Sequence, residues 1–157
     1  MLVRKAIEMV RMATHDESLE YNNEECLFAL NTAAHEIAAI LIGGRVPILV
    51  REEVIEDGSP LPDGFFRTAG TYPIKVTGNT MKFLTDDKSM KVRYFFMPTE
   101  MTGADKESLP FALSILNALV VKVAVKMLLN ENEFDITQDQ AIQQEIMQAV
   151  QAGWNGG

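Results

Sequence analysis

The sequence predicts an α+β fold: a helix-rich bundle of two N-terminal and two C-terminal helices, with a small antiparallel β-meander inserted between them. Three observations carry this prediction. Apolar residues recur every three or four positions toward both ends of the chain. Between residues 48 and 96 the pattern changes to period-two alternation. Turn chemistry such as Gly78-Asn79 punctuates that middle part.

The first helix is expected over residues 2–13, with Val3, Ala6, Ile7 and Val10 on one face and Arg4, Lys5, Glu8 and Arg11 on the other. His15-Asp16-Glu17-Ser18 breaks it. A second helix is expected over 23–42: Asn22 or Asn23 can cap it, Glu24 and Glu25 suit its positive end, and Gly43-Gly44 stop it. Leu27, Leu30, Ala34, Ile37 and Leu41 form its apolar stripe, and its alanines allow close helix approach. Pro47 then opens an extended run over 48–55, whose central Arg51-Glu52-Glu53 marks an edge or exposed strand.

Residues 56–62 read as a loop, with Asp57-Gly58 and two prolines. Three strands follow, over 74–77, 80–85 and 90–96. Gly78-Asn79 joins the first two, and Asp86-Asp87-Lys88-Ser89 is expected to turn the chain between the last two. On the final strand Met90, Val92, Tyr94 and Phe96 share a face opposite Lys91, Arg93 and Phe95. Ser108 and Pro110 begin the most apolar helix, 109–129, which should be central. Thr137-Gln138-Asp139-Gln140 has capping-box spacing for a last helix, 137–152, with Ile142, Ile146, Met147 and Val150 as a narrow stripe. Residues 1–152 are therefore expected to form a single domain, with 153–157 a flexible tail around Trp154.

Composition narrows the function. The chain has 157 residues, 47% hydrophobic and 23% charged, which is globular rather than disordered. Its single cysteine, Cys26, excludes an internal disulfide. Charge at Arg4, Lys5, Glu8 and Arg11 leaves no apolar leader, and Ser114, Asn117, Lys122 and Lys126 make 109–129 too polar for a membrane span, so no membrane is expected. A net charge of −8 disfavours tight binding to a phosphate backbone. It suits a surface past which DNA slides without being held, and it suits plain solubility equally well.

Catalytic signatures are missing. His35-Glu36 has no second histidine four residues on, so the zinc-protease pattern fails. His15-Asp16-Glu17 point in different directions and make a poor metal cage. Asp86-Asp87 is explained by its turn, Cys26 has no neighbouring base in sequence, and neither a phosphate loop nor a nucleophile elbow occurs. No enzyme activity, metal or cofactor is expected. The methionines are read as core filling, and Trp154 as an anchor for a partner pocket.

Several pieces together resemble the head-to-tail adaptor proteins of tailed bacteriophages, the head-completion and tail-tubular connectors. They are the helix pair 2–13 and 23–42, the segment Leu61-Pro62-Asp63-Gly64-Phe65-Phe66-Arg67, and the strand ending Val92-Arg93-Tyr94-Phe95-Phe96-Met97-Pro98-Thr99. The apolar helix from Pro110 and the glutamine-rich final helix complete the likeness, which covers nearly the whole chain. Gly64 is an insertion-like departure from the family's Leu-Pro-x-Asp-Phe type of segment. The resemblance implies a structural virion protein at the head-tail interface, made in the host cytoplasm. It implies a homo-oligomeric ring, commonly a dodecamer, bound to the portal protein and to a downstream tail or tail-completion protein. DNA would pass through the channel without sequence-specific binding.

On that reading the portal-binding candidates lie in 134–157: Phe134, Ile142, Ile146, Val150 and Trp154. Met81, Phe83, Tyr94 and Phe96 are candidates for the subunit interface. Glu52, Glu53, Glu56, Asp57 and Asp63 are candidates for channel-lining acids, and a solvated outer loop explains them equally well. The alternative is a non-catalytic regulatory or scaffolding module that binds a protein partner through its C-terminal helix. An enzyme with a pocket between the apolar helix and the sheet is a third reading without a motif behind it.

Overall fold

Capping and burial settle where each helix begins. The computed structural model describes residues 1–15, 21–130 and 134–156, and of residues 15, 130 and 154–156 the backbone alone. Helix α1 spans Val3–His15 and buries Val3, Ala6, Ile7, Val10 and Thr14. Helix α2 spans Asn23–Gly43. Asn22 is its cap: the side-chain Oδ1 accepts from the Glu25 amide at 2.8 Å. By length and composition alone α2 could cross a membrane, but most of its apolar residues are buried within the protein. Residues 16–20, where the sequence predicts a helix break, lie outside the described residues.

The fold is α+β, as predicted, with four helices and six short strands among the described residues. It divides into two compact units, Met1–Ile37 with Thr99–Gly157, and Ala38–Pro98. The sequence reads as one domain; the inserted strands separate because they close a core of their own.

In the helical unit, helix α3 spans Ser114–Asn130, five residues later than expected at its start. The buried Asn117 explains the delay. Its Oδ1 accepts from the Phe111 amide at 3.1 Å, and its Nδ2 donates to the Phe111 carbonyl at 2.8 Å. This clasp holds the preceding segment out of the helix. That segment also pairs with the N-terminus, where Val3 N donates to Glu107 O and Leu109 N to Met1 O, both at 2.9 Å.

Helix α4 spans Gln140–Gly156 and packs on α3. Asp139, not Thr137, is its cap, accepting from the Ile142 amide at 3.1 Å while Lys126 of α3 reaches its other oxygen at 3.0 Å. Thr137 belongs instead to a short 3-10 turn, Ile136–Gln138, capped by Asp135. The helix continues through Gly153, where the glycines suggested a loose tail; Gly157 lies outside the described residues.

One carboxyl in this unit is poorly placed. Glu36 has a buried Oε2 with no hydrogen-bond partner among the described residues. Burial first, and the charge of Asp135 second, raise its pKa. A raised carboxyl pKa means stability present below the ordinary value of 4.5 and lost as pH rises through the folded-state value. Glu36→Gln is therefore expected to melt above wild type at pH 7, with the gap closing as pH falls below 4.5. A Tm series across that range checks this, and a gap that widens in acid would contradict it.

The second unit carries two three-stranded antiparallel sheets. β1 (Val50–Glu56), β3 (Phe65–Thr68) and β6 (Ser89–Phe96) form one in the order β1-β6-β3. β2 (Ser59–Pro60), β4 (Ile74–Thr77) and β5 (Thr80–Phe83) form the other in the order β2-β5-β4. The β4–β5 hairpin turns at Gly78, with φ +58°, as its two-residue loop requires. The segment Asp86-Asp87-Lys88-Ser89 does not close a hairpin; it carries the chain from one sheet to the other. Ile55, Met81, Phe83 and Val92 form the core of this unit, with Leu61, Phe65, Tyr72, Ile74 and Met90 packed around them.

Candidate functional site

The outer strands decide what this unit can do. β3 is an open edge of one sheet and β4 an open edge of the other. A groove of about 460 Å³ is lined by residues of both, including Phe65, Phe66, Tyr72, Ile74 and Val76. Phe66 sits at a β-bulge: Phe65 pairs with Phe96 and Arg67 with Phe95, so Phe66 is the extra residue. A bulge turns a side chain away from the regular pleat, and Phe66 is 52% exposed. Val76 is 45% exposed and Leu84, just beyond β5, 69%. Unpaired strand edges beside exposed apolar side chains form a surface that another chain can extend.

Burial revises the predicted interface. Met81 and Tyr94 are fully buried and Phe83 nearly so, all three within their own chain, so they are unavailable to a neighbour. Tyr94 stacks at 40° on Phe65, with ring centroids 5.5 Å apart. Burial, then the neighbouring Glu53, raises the pKa of its phenol. Phe96 is half-buried, and the Arg51 guanidinium lies 3.8 Å from its ring centroid.

The predicted partner helix is revised for the same reason. Ile142 and Ile146 are fully buried and Val150 is 7% exposed, so the narrow stripe of α4 is its core face. Phe134 is half-buried, with Lys126 Nζ 5.8 Å from its ring centroid. The Trp154 side chain lies outside the described residues. What α4 leaves exposed is Met147, in a shallow groove of about 410 Å³ lined by Gln140, Gln143, Gln144, Gln148 and Gln151.

The five acids do not form one lining. All are exposed, but strand alternation puts Glu52 and Glu56 on one face of β1 and Glu53 on the other. Glu52 pairs with Lys91 at 3.3 Å. Asp57 is structural, its Oδ1 accepting from the Phe83 amide at 2.8 Å. Glu56 and Asp63 have no ion pair among the described residues.

The groups weighed for chemistry stay apart. No three His, Cys, Asp or Glu side chains among the described residues are grouped to hold a metal. Cys26 is buried, and burial raises its pKa against the lowering charge of Arg11, a base that local sequence did not place beside it. His35 is half-buried on α2. The sequence reading missed β3 and its bulge. The signal was there: an aromatic pair between Pro62-Asp63-Gly64 and Ala69-Gly70 is a short strand bounded by turn residues. Set against known proteins, the chain matches no family model, no curated protein and no solved structure.

Proposed function

We propose that the protein is a non-catalytic structural subunit of a head-to-tail adaptor ring, docking under a portal and enclosing part of a DNA conduit. The observation that carries this reading is the groove between the open edges of β3 and β4, with Phe66 and Val76 exposed on it. A strand or hairpin from a second copy adds main-chain hydrogen bonds at such an edge, and apolar side chains fill the groove. A head-to-tail contact of this kind closes into a ring when its rotation divides the circle.

The portal contact moves, on this reading, to the glutamine face of α4 around Met147, because the helix's apolar stripe is used internally. A regulatory or scaffolding module that binds a protein partner through its C-terminal helix would use the same exposed face. Glu56 and Asp63 remain as acids suited to a channel that repels rather than holds DNA.

Purified protein is expected to form closed rings in negative-stain micrographs. Phe66→Asp with Val76→Lys should abolish them while leaving the circular dichroism unchanged, since both side chains are about half exposed. Rings that persist in this double variant, or a wild type without rings, would refute the reading.

A further inference from the structure

A second cavity in the sheet-bearing unit has the opposite chemistry to the rest of the chain. It measures about 430 Å³ and is lined by Arg45, Arg67 and Arg93, together with Thr68, Thr71 and Phe95. No carboxylate lines it. In a protein with 22 acidic and 14 basic residues, three guanidinium groups around one cavity are not a sample of the average surface. None of the three makes an ion pair among the described residues.

Each arginine comes from a different part of the fold, and Arg67 is held. Arg67, on β3, donates from Nη2 to the Ile42 carbonyl at 2.7 Å and lies 5.5 Å from the Phe95 ring centroid. One hydrogen bond to a helix-end carbonyl occupies a single donor of a five-donor fork. Arg45 follows α2 with φ +57°, the only left-handed non-glycine residue described. That conformation is uncommon for a residue with a side chain, and it is kept directly after Gly43 and Gly44. Arg93, on β6, is exposed, and its cross-strand neighbour Glu52 already pairs with Lys91.

We infer that this cavity is a binding site for a compact phosphate-bearing ligand, with Arg45, Arg67 and Arg93 as its charge-assisted donors. Three arginines lining one cavity from different parts of the fold match a multiply charged tetrahedral oxyanion better than a single carboxylate. The volume falls in the range of small-ligand sites rather than of a groove that tracks a nucleic-acid strand. All of its lining residues belong to one copy of the chain, and Arg67, Thr68, Gly70 and Thr71 also line the groove between β3 and β4, so the cavity adjoins the surface of the proposed ring contact.

Inorganic pyrophosphate is the probe, titrated calorimetrically into the full chain at fixed ionic strength. Wild type should bind it, and Arg45→Gln and Arg93→Gln should each weaken binding at least about tenfold, the size of one lost charge-assisted hydrogen bond. Arg67→Gln is avoided because Arg67 also holds the end of α2. Arg4→Gln, at a residue whose one ion pair among the described residues is with the exposed Asp105 at 4.0 Å, is the control and should bind like wild type. Matched melting curves show that each variant is folded. Absence of pyrophosphate binding, equal binding by the double Arg45→Gln, Arg93→Gln variant, or binding of a short DNA duplex in place of pyrophosphate would each overturn the assignment.

Discussion

Replacing Gly64 with alanine is expected to lower stability by about 2–4 kcal/mol, the largest effect of any single methyl group in the sheet-bearing unit. Gly64 has φ +75°, and a Cβ there would sit 2.7 Å from the Met97 carbonyl oxygen. That oxygen is backbone and cannot swing aside. The same turn is tied down from the other direction, because Met97 N donates to Gly64 O at 2.8 Å. The left-handed conformation and the collision therefore act together, with a Tm lower by roughly 10 °C. Gly43→Ala is the contrast. Nothing lies within 4 Å of its Cβ position, and its φ is not left-handed, so stability should hold or rise slightly. A Gly64→Ala protein that melts with wild type would show that the turn after β2 is not what positions β3. Gly64 is thus the residue that its local geometry requires.

Truncating Ile146 to alanine is the second large effect, about 2–5 kcal/mol. Ile146 has no exposed surface, and Ile142 and Ala149 are buried beside it on the face of α4 that packs on α3. Removing its branched side chain loses burial and leaves a cavity that helices crossing this closely fill poorly. Met147→Ala, one residue on but 42% exposed, should change stability by no more than about 0.5 kcal/mol. The pair separates two roles in the isolated protein. A core residue lowers the Tm of the free chain, whereas an anchor kept for a partner leaves it untouched. An unchanged melting curve for Ile146→Ala would return the stripe of α4 to the surface.

Local signals were readable wherever a helix or turn is decided by its own residues. Asn22, Gly43-Gly44 and Gly78-Asn79 stand where capping and turn chemistry place them. The start of α4 is not legible locally because two caps compete there. Thr137 has the right spacing, but Asp139 is also held by Lys126, from a helix earlier in the chain. The start of α3 was misread because Asn117, itself inside the helix, clasps the Phe111 backbone.

The candidate site was less legible. Alternation correctly groups Val92 with Tyr94, but it cannot say whether the shared face meets solvent or another part of the fold. Met81, Phe83 and Tyr94 alternate as interface residues would, yet burial makes them core. β3 has four residues and pairs through a bulge with a strand far along the sequence, so its edge leaves no long periodic trace. A groove lined from two sheets exists only after both sheets have formed.

Amide hydrogen exchange, followed as protein concentration is raised, tests most directly whether the margins of β3 and β4 join one copy to the next. Those amides of residues 65–68 and 74–77 that are not bonded within the chain should exchange quickly in dilute solution and become protected once the protein assembles, while β6, paired on both sides, stays protected throughout. Fast exchange in both segments at every concentration, in a sample shown to be oligomeric or in one that never leaves the monomer, would contradict the account.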